Sequence, residues 1–304
     1  MRHGSLGSRR RSLYRAVYGP AFRLLERAGW HLTRRHFYSP IPDVRSLDDR
    51  TFDEPSSMAG VEIEEAGMLA LLDELASRYR AEWEEWPGDE RDPHGYYADN
   101  PWFAAVDAAI AWGLVRLGRP RRVVEVGSGM STRLLAAALR RNSAEGDGEP
   151  ELVTIDPHAG ALVREGIKGL TRLITTPVQD VDLELFTTLG DRDVVFIDSS
   201  HVVRAGSDVK HEILEVLPRL RSGVLVHFHD ILLPYEYPRS WLVDHWRFWN
   251  EQYVLQAFLA HNRDFAVVWA GHLLHRRHPD RLEAAISRYG REHSLPGSFW
   301  IRRL

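Results

Sequence analysis

The chain has no cysteine and only two lysines, Lys168 and Lys210, among its 304 residues. The absence of cysteine excludes disulfides, thiolate metal sites and cysteine nucleophiles. No apolar run approaches the ~18 residues that a membrane-spanning helix requires, and the N-terminus lacks the apolar stretch of a secretory signal. We therefore expect a cytoplasmic protein without a membrane span.

The composition is that of a globular enzyme rather than of a nucleic-acid-binding protein. Hydrophobic residues make up 44% of the chain and charged residues 27%, and the length is ample for a full hydrophobic core. The formal net charge is −4, and no aromatic-rich basic RNA motif is present. We expect the partner to be a small-molecule acceptor and not a nucleic acid.

Charge is unevenly distributed in the first hundred residues. Residues 2–35 carry nine arginines and the single acid Glu26, whereas residues 43–99 are strongly acidic. Apolar residues at helical spacing within residues 13–25 predict an amphipathic helix. A basic helix of this kind suits peripheral contact with an anionic membrane surface. We favour instead the packing of this helix on the catalytic domain or on a second subunit. A homodimer is therefore plausible.

The segment before the first strand predicts an accessory region. Residues 36–43 read as an extended linker set by prolines, residues 61–86 have the apolar spacing of one or two helices, and residues 103–118 predict a further helix. The expected organisation is an N-terminal helical extension and cap over residues 1–100, followed by a catalytic domain over residues 101–304.

The most informative segment is residues 123–132, with the sequence V-V-E-V-G-S-G-M-S-T. The β-branched run predicts a strand, the glycines a tight turn, and the residues after them the start of a helix. Glycine lets the backbone approach a ligand closely, and the free N–H groups at a helix start bind its polar groups. The pattern is typical of a nucleotide-cofactor loop, although strand-to-helix turns also use glycine for geometry alone.

Two details distinguish this segment from a dinucleotide-binding loop. Thr132 stands where the third glycine of G-x-G-x-x-G would be, and Glu125 lies in the strand end before the first glycine. The arrangement E-x-G-x-G resembles the first motif of class I S-adenosylmethionine-dependent methyltransferases. The resemblance implies that S-adenosylmethionine is the cofactor and that it is bound by Glu125, Gly127, Ser128, Gly129, Ser131 and Thr132.

The next strands add further cofactor residues. Residues 151–155 predict a second strand that ends on Asp156, where doubly wound proteins place the acid that binds the ribose hydroxyls. Asp156 could instead cap the following helix. The loop over residues 176–180 follows the third strand, where such folds contact adenine, and Gln179 and Asp180 are the candidates there.

Polar side chains follow two more buried strands. Asp198 and His201 come after residues 193–197, and His229 and Asp230 come after residues 223–228. Because the carboxyl ends of parallel strands share one edge of a sheet, these four side chains should converge near the cofactor, and Asp198 is also a candidate for binding the cofactor. Period-two alternation makes His227 a core histidine.

These motifs together resemble a bacterial methyltransferase family, of the family 24 type, that includes macrocin-type sugar O-methyltransferases and cephalosporin hydroxylase-like proteins. The motifs that carry this resemblance are D-x-x-H at Asp198, L-P-x-L-x-x-G at residues 217–223, and the pair His229 and Asp230. The resemblance implies an α/β fold, with a Rossmann-like, doubly wound sheet of seven strands whose last strand is antiparallel. Residues 265–269 and 298–301 would supply the closing strands.

The same four polar residues support two chemistries. Asp198, His201, His229 and Asp230 are the predicted catalytic residues, with either histidine as a general base if a carboxylate orients it. In related metal-dependent members, two acids after these strands hold a cation, so Asp198, His229 and Asp230 could bind Mg²⁺ or Mn²⁺. Alternatively, the two acids only cap the following helices.

Tyrosines near the predicted edge are candidates for the acceptor site, although aromatic residues more often pack in a core. They are Tyr38, Tyr96, Tyr97, Tyr235 and Tyr237. Beyond them we predict a long helix from about residue 241 to 260, with Trp246, Trp249 and Trp300 in the core.

The sequence therefore predicts an S-adenosylmethionine-dependent methyltransferase that acts on an oxygen of a small molecule such as a sugar or secondary metabolite. A metal-dependent hydroxylase-like enzyme on the same fold is one alternative. A cofactor-binding protein without turnover is the other. The residue Thr132 argues against a dehydrogenase.

Overall fold

A computed structural model describes residues 5–33, 35–146 and 148–304, with side chains from residue 16 onward. The chain divides into two compact units, Met1–Asp48 and Asp49–Leu304. Of the basic segment, Arg2 and Arg34 lie outside the described residues. So do the side chains of Arg9, Arg10, Arg11 and Arg15, and those of residues 13 and 14 of the predicted amphipathic face.

The first unit contains one long helix, α1 (Ser5–Arg27), which has Pro20 in its interior. Its C-terminal half is held to the following turn by the Tyr18 hydroxyl, which donates to the carbonyl of Leu32 at 2.8 Å, and by Phe22, whose ring stacks on His31.

The second unit alternates strands and helices around one sheet. Its helices are α2 (Asp49–Asp53), α3 (Glu65–Glu84), α4 (Ala105–Gly118), α5 (Met130–Ala144), α6 (Ala161–Glu165), α7 (Glu184–Thr187), α8 (Asp208–His211), α9 (Arg239–Val243), α10 (Glu251–Leu259), α11 (Gly271–Arg277) and α12 (Pro279–Ala285). Its strands are β1 (Arg122–Val126), β2 (Glu151–Ile155), β3 (Arg172–Ile174), β4 (Val194–Ile197), β5 (Leu225–Phe228), β6 (Phe265–Ala270) and β7 (Phe299–Arg303). A π-helical turn, Glu212–Val216, follows α8 directly.

The sheet has seven strands in the order β3-β2-β1-β4-β5-β7-β6. Strands β1 to β5 run parallel, and β7 is antiparallel to both β5 and β6. This confirms the predicted α/β doubly wound sheet with an antiparallel last strand. Four of the parallel strands are almost wholly buried, as expected where helices cover both faces.

The boundary expected near residue 100 differs from the division in the structure, which falls after Asp48. The reason is the close packing of α3 on α4. Leu72 and Leu75 of α3 are fully buried. A Cβ at Gly113 of α4 would lie 2.9 Å from Leu75, so the missing side chain allows the two helices to approach. Residues 49–100 therefore belong to the same unit as the sheet.

The long helix predicted over residues 241–260 is wrong. The segment forms α9 and α10 with an irregular stretch between them. Trp246 in this stretch has a φ of 55°, which a right-handed helix does not accommodate, and its side chain is 74% exposed instead of in the core. Trp249 is half-buried, whereas Trp300 is fully buried as predicted.

No helix among the described residues is long and apolar enough to cross a membrane.

Candidate active site

The strand register brings the predicted polar residues to one edge of the sheet. Val126 of β1 pairs with Ile155 of β2 and with Ile197 of β4, and Ile197 pairs with Phe228 of β5. The four residues that follow these strand ends are Gly127, Asp156, Asp198 and His229. They therefore lie side by side, as the sequence predicts.

The loop after β1 requires glycine at its first position. Gly127 has a φ of 89°, and a Cβ there would lie 2.0 Å from the carbonyl oxygen of Asp198. Only a residue without a side chain allows this loop to cross the end of β4.

Glu125 lies beneath this loop, fully buried. Its carboxylate accepts hydrogen bonds from the hydroxyls of Ser131, Thr132 and Thr154 at 2.7–2.8 Å. Burial raises the pKa of Glu125 to about 7, although these hydrogen bonds oppose the shift. The Thr132 hydroxyl also accepts from the N–H of Gly129 at 2.9 Å. Glu125, Ser131 and Thr132 thus fix the shape of the loop from below.

The first cleft, about 430 Å³, opens above the loop at the ends of β1, β2 and β4. Gly127, Ser128, Asp156, Gln179 and Asp198 line it. The Ser128 hydroxyl donates to Asp156 Oδ2 at 2.5 Å, and Asp156 Oδ1 accepts from the N–H of His158. The cleft therefore brings together Asp156, which is the predicted ribose acid, the glycine loop after β1, and Asp198 at the end of β4.

Five predicted cofactor residues lie outside the lining of the first cleft: Glu125, Gly129, Ser131, Thr132 and Asp180. Asp180 is exposed beside Gln179 but does not line the cleft. Gln179 itself donates to the carbonyl of Gly206 at 3.1 Å, which ties the loop after β3 to the loop before α8.

Asp198 of the first cleft and three neighbouring side chains form a cluster that we call the quartet. Its members are Asp198, His201, His229 and Asp230. His229 Nδ1 lies 3.6 Å from Asp198 Oδ1 and 3.6 Å from Asp230 Oδ2. His201 Nε2 lies 3.5 Å from Asp198 Oδ1 and 3.8 Å from Asp230 Oδ2. Each imidazole therefore faces the same two carboxylates, and the convergence that the strand pattern predicts is present.

The quartet is strongly polarised. Burial disfavours charge on every member, but pairing outweighs it. Burial alone would lower the pKa of His201, yet Asp198 and Glu251 raise it to about 10. In the same way Asp230 and Asp198 raise the pKa of His229 well above its ordinary value. The imidazoles in turn hold the pKa of Asp198 and of Asp230 below the usual range of a carboxyl, against the effect of burial.

Two quartet members have strained backbones. His201 has a φ of 59° and Asp230 a φ of 54°, both in the left-handed region. Such conformations cost about 1–3 kcal/mol each and persist where the surroundings fix them, most often at functional sites. Gly297 makes room for Asp230, because a Cβ at Gly297 would lie 3.0 Å from the Cα of Asp230.

Two buried acids that the sequence analysis missed support the histidines. Glu251 is the first residue of α10 and is 1% exposed. Its carboxyl group is hydrogen-bonded to His201 Nδ1 at 2.9 Å. Asp107 of α4 lies 3.9 Å from His229 Nε2, and its two oxygens accept from the N–H groups of Gly297 and Ser298 at 3.0 Å. The single acid in the largely apolar sequence of α4 is the signal that could have indicated Asp107.

The second cleft, about 540 Å³, lies on the other side of the quartet. Its floor contains Asp107, His229 and Asp230, and its walls come from three separate segments. These are residues 100–106, residues 241–249 from α9 into the irregular stretch that follows it, and residues 293–296 before β7. Since Asp198 lines the first cleft and touches His229 of the second, the two clefts meet at the quartet.

The predicted acceptor tyrosines do not line the second cleft. Tyr96 is 8% exposed, and its hydroxyl donates to the carbonyl of Phe103. Tyr235 and Tyr237 are buried as well, and Tyr97 is half-buried against the core. Tyr38 lies in the first unit, beside His36 and Phe37. Aromatic rings from residues 102, 241 and 249 line the cleft instead.

The metal expected from the resemblance is not supported. Among residues 5–33, 35–146 and 148–304, no group of three or more histidines and acids is arranged to hold a metal ion. The nitrogen atoms of His201 and His229 that face the two acids lie 3.5–3.8 Å from carboxylate oxygens of the quartet.

A larger cavity, about 600 Å³, lies at the edge strand β6. It is lined by Gly60, His261, Phe265 and Leu304, among others, and by none of the predicted site residues. The first and second clefts are the candidate active site because of the chemistry of their linings and not because of their size.

Comparison with known proteins indicates the class of the domain that carries this candidate site. Residues 124–231 match the model of a family described as a methyltransferase domain, and this span includes the glycine loop and the whole quartet. An uncharacterised protein of Archaeoglobus fulgidus is 32% identical over 165 residues, which make up 51% of this chain and 72% of the relative. The chain belongs to the same family as this archaeal protein, and it contains a methyltransferase domain.

Among solved structures, the SAH-bound Podospora anserina methyltransferase PaMTH1 is similar in 80% of this chain and 89% of its own. The sequence identity is 15% and the TM-score 0.42. That similarity is too distant to bear on the site residues.

Proposed function

We propose that the protein is an S-adenosylmethionine-dependent methyltransferase that methylates a hydroxyl oxygen of a small molecule. The observation that carries the proposal is the junction of the two clefts: Asp198 in the first contacts His229 in the second at 3.6 Å. A methyl donor in one cleft and an acceptor in the other would react across this junction.

The residues of the first cleft fit the cofactor. A volume of about 430 Å³ lies within the usual range of small-molecule sites. Gly127 allows the loop to cross the end of β4 without a clash, and the start of α5 supplies N–H groups. Asp156 would hold the ribose hydroxyls, and Gln179 would lie near the base. Glu125, with Ser131 and Thr132, would hold the loop in shape instead of contacting the cofactor.

A bound sulfonium cofactor supplies an electrophilic methyl group, whose carbon–sulfur bond breaks with its electron pair passing to sulfur as the new carbon–oxygen bond forms. The acceptor must lose a proton from its hydroxyl. In our proposal His229, on the floor of the second cleft, takes this proton. Asp198 and Asp230 lie against its Nδ1 and stabilise the imidazolium that results.

His201 acts through the two shared carboxylates and so is a positioning residue. Glu251 fixes its ring at 2.9 Å, and the backbone of α10 reinforces this, since the N–H groups of Asn250 and Glu251 both donate to the carbonyl of His201. A quartet that is held rigidly at the junction aligns the two clefts. Alignment of two bound reactants accounts for up to ~7–11 kcal/mol of a reaction barrier.

Calorimetric titration of the full chain with S-adenosylmethionine and S-adenosylhomocysteine tests the proposal. We expect both to bind with micromolar affinity and the affinity to be unchanged by a chelator. Absence of binding by both would refute the proposal, and tight binding of a nicotinamide dinucleotide in their place would assign the site to a dehydrogenase. A large loss of affinity in the presence of the chelator would restore a metal to the site.

A further inference from the structure

The walls of the second cleft differ from its floor in chemistry. Three tryptophans line it: Trp102, Trp241 and Trp249. The rings of Trp241 and Trp249 meet edge to face, with centroids 5.0 Å apart. Trp102 is 67% exposed, so its ring is accessible from the mouth of the cleft. Rings at the mouth of a cleft are suited to a planar ring.

The rim also carries positive charge. The guanidinium of Arg247 lies 5.1 Å from the ring centroids of both Trp241 and Trp249. Within the described part of the chain it has no carboxylate at ion-pair distance, whereas Arg239 is 3.7 Å from Asp49. His245 and His293 line the same rim. A cation that the aromatic rings hold in place, with no acid among the described residues to neutralise it, is suited to bind an anion.

The acids of the floor do not compensate for this charge. Asp230 lies 3.6 Å from His229 Nδ1, and Asp107 is occupied by two backbone N–H groups and lies 3.9 Å from His229 Nε2. The cleft thus offers, from floor to rim, a proton acceptor for a hydroxyl, aromatic walls for a ring and a free cation for an anion.

We propose that the acceptor is a hydroxylated aromatic acid, whose ring lies among Trp102, Trp241 and Trp249 and whose carboxylate is bound by Arg247. The inference rests on the proposed function, since it names the acceptor of the same methyl transfer. The hydroxyl then points to His229, which takes its proton as the oxygen accepts the methyl group.

Tryptophan fluorescence of the full chain tests the inference without the cofactor. The probes are 4-hydroxybenzoate and 4-hydroxycinnamate, each beside its neutral methyl ester, and trans-4-hydroxycyclohexanecarboxylate, which keeps both groups but lacks the aromatic ring. We expect each aromatic acid to quench the fluorescence and to bind at least fivefold more tightly than its ester or the saturated acid. A charge-assisted contact of about 1.5–3 kcal/mol corresponds to roughly tenfold or more in affinity.

The matched variants are Arg247→Gln and Arg239→Gln, which remove the free cation and a nearby paired one. R247Q should abolish the preference for acid over ester, and R239Q should keep it. Equal binding of acid and ester by the wild type, an unchanged preference in R247Q, or no binding of any probe would each overturn the inference.

Titration with S-adenosylhomocysteine in parallel separates the two proposals. If the probes fail but S-adenosylhomocysteine binds, only the acceptor class is wrong. If the probes bind with the expected preference but S-adenosylhomocysteine does not, the methyltransferase proposal fails and the aromatic-acid site remains.

Discussion

His229 Nδ1 lies 3.6 Å from Asp198 Oδ1, and this contact joins the floor of the second cleft to the wall of the first. The two residues follow neighbouring strands, β5 and β4, whose ends are in register. A reaction between ligands in the two clefts would therefore take place beside this pair, and the predictions below depend on its surroundings.

Gly127→Ala should disrupt the loop. The new Cβ would meet the carbonyl oxygen of Asp198 at 2.0 Å in a backbone with positive φ, so we expect a loss of about 2–4 kcal/mol in unfolding free energy. Gly160→Ala is the control, because a Cβ there meets nothing within 4 Å. Chemical denaturation measures both, and equal stability of the two variants would contradict the described loop.

Asp156→Ala should weaken cofactor binding without unfolding the protein. Loss of a carboxylate that binds two hydroxyls corresponds to about 1.5–3 kcal/mol, or roughly a tenfold to hundredfold rise in the Kd of S-adenosylhomocysteine. Asp182→Ala removes a carboxylate that lies outside the first cleft and caps the N–H of Glu184. Calorimetry should give D182A the wild-type Kd, and a D156A protein with that same Kd would remove Asp156 from the ribose site.

The methylation rate should rise with pH above neutrality. Asp230 and Asp198 raise the pKa of His229 well above its ordinary value, so His229 keeps its proton to a higher pH than a free imidazole does, and only its neutral form can accept a proton. The rate of wild-type protein should thus increase between pH 6 and pH 9. His229→Gln should lose both the rate and this slope, whereas His211→Gln, outside both clefts, should keep them. A rate that is flat across this range would assign the proton to another group.

Glu251→Gln should destabilise the protein in a pH-dependent way. The pKa of His201 is raised from 6.5 to about 10 in the folded state, so its ion pair contributes fully below about pH 6.5 and is lost as the pH rises towards 10. We expect E251Q to lose about 2–3 kcal/mol of unfolding free energy at pH 7 and less at pH 10.

Glu212→Gln is the matched control for E251Q. Burial and the nearby Glu251 raise the pKa of Glu212 well above its usual value, so the neutral amide replaces a group that resists ionisation. Urea denaturation at pH 7 and pH 10 should show a smaller change in E212Q than in E251Q. A deficit in E251Q that does not vary with pH would indicate lost packing instead of a lost ion pair.

Local patterns predicted the glycine loop and the convergence of the polar residues that follow the parallel strands. A β-branched run followed by glycine specifies a strand and its turn through backbone preferences alone, so β1 and Gly127 could be read directly. The polar residues after β4 and β5 were predicted to converge because parallel strands end at one edge. His227 was predicted to be buried, and its Nε2 is hydrogen-bonded to Ser298 at 2.9 Å.

The acceptor side could not be predicted in this way. The tyrosines were selected by residue type and by proximity in sequence, but most of them are buried in the core. Trp249 and Arg247 lie in a segment whose apolar spacing predicts a helix, so their place in the cleft could not be predicted. The left-handed backbone at Trp246 interrupts that helix. Such a break is decided by packing around α9 and α10 and not by the propensity of the segment.

The sequence by itself determined the strands, their polar ends and the glycine loop, because each depends on backbone sterics and on the alternation of neighbouring side chains. Only the tertiary structure decided which distant residues complete the site. Asp107 from α4 and Glu251 from α10 reach the histidines through contacts between segments far apart in the chain. Those contacts fix the charge of the quartet and the shape of the second cleft, because burial and pairing exist only once the helices have packed on the sheet.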